Sequence, residues 1–171
     1  MKKYLPLGHI LSLALLLSFF ATGCTTAPER PGSALSGAWR GQVQGNSGAL
    51  AAMPDLEFMY VFNAGGTMTE SSNYDASPPV PPAYGVWKQT GARQYEAKYA
   101  FFWNSPPANF EVIAKGGGWS PGGHGILREK ITLAEDGNAF ASTIRLELFD
   151  QKSQPVEGGG EATGKGVRMQ F

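Results

Sequence analysis

The chain has 171 residues, with 14 Lys and Arg balanced by 14 Asp and Glu, one cysteine and two histidines. Balanced, scattered charge argues against a nucleic-acid partner, and a lone cysteine excludes an intramolecular disulfide. His124 is the one histidine beyond residue 10, which excludes a multi-histidine metal site.

The N-terminus reads as an export signal: Lys2 and Lys3 form a charged start, residues 10–20 are mostly apolar, and small residues follow. About a dozen apolar residues fall short of the roughly 20 that a helix needs to cross a bilayer. The run Phe20-Ala21-Thr22-Gly23-Cys24 resembles the bacterial lipobox, in which the chain is cut before the cysteine and the thiol receives a diacylglycerol. The resemblance implies a signal peptide over residues 1–23 and a lipidated Cys24 as the first mature residue. Two or more acyl chains hold a protein on a membrane almost permanently, so function is expected at the cell envelope, outside the cytoplasm. In Gram-negative lipoproteins an Asp after the cysteine commonly retains the protein at the inner membrane; Thr25 stands here and implies the outer membrane. Residues 24–35, with Pro28 and Pro31, read as a flexible tether.

Residues 36–171 supply chain for one core, and they read as all-β because alternation of period two recurs without a useful helical stripe. Strands are expected at residues 37–45, 56–63, 67–74, 84–90, 94–103, 140–149 and 161–171. Residues 109–115 and 125–134 read as two parts of one long sixth strand, interrupted by the glycine-rich stretch 116–123. Leu56, Phe58, Tyr60 and Phe62 share a face, as do Tyr95, Ala97, Tyr99, Phe101 and Trp103, and Phe140, Ser142, Ile144, Leu146 and Leu148. Glu129 falls with Leu127, Ile131 and Leu133, and Glu70 with Met68 and Tyr74.

That makes eight strands. Tight connections at 64–66, 91–93 and 136–137 alternate with longer ones at 46–55, 75–83, 104–108 and 150–160. One end is therefore closed by tight turns and the other carries the longer loops, as in an up-and-down meander. Eight antiparallel strands can close into a barrel with no free edge, which favours a monomer; an open sandwich is the alternative.

Gly37-Ala38-Trp39 at the start of the first strand is similar to the Gly-x-Trp opening of lipocalins and their calycin relatives. The resemblance implies a barrel whose closed end is plugged by Trp39 and covered by a late arginine, for which Arg168 is the candidate. It covers residues 36–171 in layout and Gly37, Trp39 and Arg168 in detail.

No cofactor is expected. His124 reads as a solvent-facing loop residue, with a haem ligand or general base as the alternative, and residues 116–125 lack the Gly-Lys-Ser/Thr ending of a phosphate cradle. Glu129 and Glu70 would place carboxyls inside an apolar barrel, unless Glu129 pairs internally with Arg40 or Arg168. Phe58, Tyr60, Tyr74, Tyr99, Phe101 and Trp103 lie toward the long loops and read either as core packing or, with Glu129, as the lining of a pocket for an apolar ligand. The proline-rich segment 77–82 would stiffen its rim. Three functions follow: a lipid-anchored carrier or sensor of a small hydrophobic molecule; a calycin-like cyclase or isomerase using Glu129 and Tyr99 as acid and base; or a non-catalytic envelope module that contacts a protein partner.

Overall fold

A computed structural model describes residues 33–74 and 81–171. The expected signal peptide (residues 1–23), Cys24 and the rest of the expected tether to residue 32, and residues 77–80 of the expected proline-rich rim lie outside the described residues. In chain order the elements are β1 (Gly37–Gly45), α1 (Gly48–Ala51), β2 (Leu56–Phe62), β3 (Thr67–Ser72), β4 (Ala83–Gln89) and β5 (Gln94–Ser105). They continue with α2 (Phe110–Ala114), β6 (Ser120–Leu133), β7 (Ala139–Asp150) and β8 (Pro155–Arg168). Each strand pairs antiparallel with its sequence neighbours, and β1 pairs with β8 from Trp39 opposite Arg168 to Gly45 opposite Ala162. The sheet is a closed eight-stranded up-and-down barrel, not an open sandwich. Closure, core and all ten of these elements lie between Ser33 and Phe171, so this stretch has what it needs to fold alone.

The period-two faces point as expected. Tyr60, Phe62, Met68, Tyr95, Tyr99, Ile131 and Glu129 are almost wholly buried, while their strand neighbours Met59, Val61 and Lys98 face outward.

Tight turns close one end, and the first described residues lie there. Trp39 is fully buried and donates its indole N–H to the Leu35 carbonyl at 2.9 Å. The Arg168 guanidinium lies 4.2 Å from the Trp39 ring centroid, donates to Ser36 O at 2.8 Å and Gly137 O at 3.0 Å, and also reaches Ala34 O. One cation thus covers the plug and ties the first described residues to the β6–β7 turn, a cation–π contact worth about 0.5–2 kcal/mol plus its hydrogen bonds. Leu35 is consequently part of the core, which corrects its assignment to the tether.

Three other readings need correction. Residues 109–115 are not strand: the Asn109 side chain accepts from Val112 N–H and caps α2, while Gly116 at φ +82° stops it. Gly116 N–H bonds Ile113 O and Gly117 N–H bonds Val112 O, the paired closure of a Schellman motif. Strand β6 starts earlier than expected, at Ser120, so His124 sits on a strand with its ring stacked on Phe149, centroids 5.0 Å apart, and not in a loop. The supposed loop over 150–160 is largely hairpin. Asp150 Oδ1 accepts from Lys152 and Gln154 N–H at 2.8 Å each, making a short turn that lets β8 begin at Pro155.

Several inward rings lie over glycines on the neighbouring strand. Phe140 is opposite Gly166, Tyr99 opposite Gly85 and Phe101 opposite Gly125, and a Cβ at any of these glycines would overlap the facing side chain. Removing Cβ makes room for rings that an eight-stranded barrel could not otherwise enclose. Gly166→Val is therefore expected to cost about 2 kcal/mol or more by overpacking against Phe140. Gly137→Asn, in open space at φ +71°, should cost well under half of that. Urea denaturation of both variants checks the contrast, and equal losses would refute it.

Candidate functional site

Polar groups gather at mid-height of the barrel. Strand β2 contributes Tyr60, β3 Glu70, β5 Tyr99, β6 Glu129 and β7 Ser142, all inward and all buried. Tyr99 Oη donates to Glu129 Oε2 at 2.9 Å, and Tyr60 Oη reaches Glu129 Oε1 at 3.5 Å. The Ser142 hydroxyl stands beside the same carboxyl without good hydrogen-bond geometry. Among the described residues no cation joins them, contrary to the pairing considered for Glu129. Arg40 instead bridges Glu57 on the outer face at 2.7 Å, and Arg168 is held at the closed end.

Burial dominates the electrostatics. Desolvation pushes the Glu129 carboxyl up to about 7, against the opposing effect of Ser142, Tyr99 and Tyr60. Desolvation followed by repulsion from Glu129 pushes Glu70 up to about 8. Burial, and then the Glu129 charge, raise both tyrosine hydroxyls well above their ordinary value. At neutral pH the tyrosines are donors, Glu70 holds its proton, and Glu129 is the group closer to ionising.

Above this layer, toward the longer loops, the barrel is hollow. A cavity of about 300 Å³ opens at that end. Its walls are Leu56, Phe58, Phe101, Leu127, Leu146 and Leu148, with Trp103, Trp119 and Tyr74 toward the mouth and Glu70, alone among the described carboxyls, facing in from mid-barrel. Of the residues expected to line a pocket, Phe58, Tyr74, Phe101 and Trp103 do so. Tyr60, Tyr99 and Glu129 do not: they lie packed beneath it, with the tyrosine hydroxyls directed to Glu129. The acid–base pair considered for an enzyme thus does not front this cavity.

Glu70 is the side chain whose importance the sequence understated. It was legible through its alternation with Met68, but parity along a strand gives the face and not the height. Leu50 and Met53, around α1 in the β1–β2 connection, also line the cavity. Their helical spacing inside a segment read as loop was the available signal. Among the described residues no group of three His, Cys, Asp or Glu side chains could hold a metal ion.

Both carboxyls bind protons more tightly in the folded chain than in the unfolded one, whose value is near 4.5. The folded state is therefore the more protonated form between pH 4.5 and about 8, and stability falls as pH rises through that window. The melting temperature should drop between pH 5.5 and 8.5, reflecting a loss on the order of a few kcal/mol. Glu70→Gln should raise it by several degrees at pH 8.5 and flatten the slope. Thermal melts across this range test the point; stability that rises with pH would refute it.

No protein-family model matches this chain, and no curated protein matches its sequence.

Proposed function

We propose that this protein is an envelope lipoprotein, anchored through Cys24, whose lipocalin-like barrel binds or carries a small hydrophobic molecule. The observation that carries the reading is the cavity: about 300 Å³, walled by aliphatic and aromatic side chains and open at the end with the longer loops. A barrel built only as a rigid module would fill that end as it fills the other, since small barrel interiors close-pack. The sealed half shows that this sequence can do so: Trp39, Phe62, Trp87, Tyr95 and Phe140 pack there ring against ring.

Polarity along the axis supports the anchoring. The chain reaches β1 at the closed end, where Arg168 grips Ala34 and Ser36, and the mouth lies at the opposite end. A lipid attached at Cys24 would leave the mouth turned away from the membrane, with the protein facing the outer membrane where the cell has one. The barrel acts as a monomer in this reading, because closure leaves no sheet edge to pair.

Native mass spectrometry of residues 33–171, after exposure to a lipid extract of its own cell envelope, tests the binding. A discrete added mass is expected, and it should disappear in Ser72→Trp, which places an indole in the cavity from its wall. No adduct on the wild-type barrel, or an adduct undiminished in Ser72→Trp, would overturn the reading.

A further inference from the structure

Glu70 is 6 % exposed, and its Oε1 has no hydrogen-bond partner among the described residues. A buried acceptor left unmade costs about 1–3 kcal/mol, more when charged. The neighbours do not relieve it. Tyr60 lies opposite on β2 and Tyr99 comes from β5, but both hydroxyls are directed to Glu129. Ala83 is opposite on β4 and has nothing to donate, and Glu129 from β6 adds a second carboxyl. Among the described residues no Lys, Arg or His lines the cavity, and residues 75–80 of the β3–β4 connection contain none. The Glu70 side chain borders the cavity, and a donor for its carboxyl can come from that side.

We propose that the cavity takes an apolar molecule headed by an amine, with Glu70 as the counter-ion at its inner end. This rests on the cavity-binding reading above and specifies its ligand. An anionic ligand such as a fatty acid would find no cation, and its carboxylate would add a third acidic group to a desolvated site where Glu129 already disfavours negative charge. An alcohol supplies a single O–H. An ammonium brings three donors and a positive charge, which satisfies Glu70 and offsets its repulsion with Glu129. Phe58, Phe101 and Trp103 offer aromatic surface along the way in, which favours a cation over an anion. The volume is about twice the ~150 Å³ that accommodates benzene, so a ligand of about a dozen non-hydrogen atoms fits.

Three probes of one shape and different heads make the test: 4-phenylbutylamine, 4-phenylbutanol and 4-phenylbutanoate, titrated calorimetrically into residues 33–171. The amine should bind at least about tenfold more tightly than the alcohol, and the butanoate should not bind measurably. Because Glu70 must ionise to pair with the ammonium, amine binding should release a proton to the buffer. Its affinity should rise from pH 6 to 8 while that of the alcohol stays flat. In Glu70→Gln, whose fold its melting transition verifies, the amine should fall to the level of the alcohol. Butanoate binding as tightly as the amine, or a Gln variant that keeps the amine preference, would overturn the amine assignment and leave the pocket standing. Failure of all three probes to bind would overturn both.

Discussion

Everything in this molecule follows from the pairing of β1 with β8. Once Trp39 stands opposite Arg168 and Gly45 opposite Ala162, the sheet has no edge and its interior has a fixed girth that side chains must either fill or leave open. At the closed end they fill it. Rings that would be too large for an eight-stranded interior are admitted by glycines on adjacent strands, so the glycine content belongs to the packing as much as to the turns. The same pairing brings the first and last strands to one end, where a single guanidinium can cover Trp39 and hold residues 34–36 and the β6–β7 turn together.

Which parts of this were legible in the sequence depends on the physical signal each part leaves. Strands with one face in the core announce themselves by alternation, and the tight turns by Gly at positions such as Gly66 and Gly137, both at positive φ. The eight strands, their order and the closed end could therefore be read. Helix α2 could not be read from periodicity, since it is five residues long and buries none of them. Its marks are purely local, an Asn cap and a Gly-Gly stop, between stretches whose alternation resembles one continuous strand. The first part of β8 was missed for the same reason. Residues 155–158 are exposed, so no apolar alternation betrays them.

The candidate site was half legible for a different reason. Alternation correctly turned Glu70 and Glu129 inward, but height along the barrel axis depends on strand stagger, which a single sequence does not record. Glu129 looked the better candidate because it sits among Leu127, Ile131 and Leu133. That same company places it in the packed layer, bonded to Tyr99 and Tyr60, while Glu70 on the short β3 reaches the cavity. Phe58, Phe101 and Trp103 were found because they are both inward and close to the longer connections.

The two carboxyls are not equivalent, and their difference is the strongest sign that the cavity has a purpose. Glu129 is built in: two tyrosines hold it, and its cost is partly met by hydrogen bonds within the protein. Glu70 is left without that support although an apolar residue at the same place would stabilise the barrel at neutral pH. Unmet polar groups of this kind are typical of sites whose missing partner is a ligand, because the group that weakens the empty protein is the one that strengthens the complex. The hydrogen-bonded layer beneath supports the same arrangement. Its tyrosine hydroxyls are directed to Glu129, and the Glu129 charge is felt at Glu70 without a hydrogen bond to Glu70 from that layer. The barrel thus holds a carboxyl without a partner at the inner end of an apolar shaft, which is the feature that would let it discriminate among ligands by the charge they carry there, as proposed above.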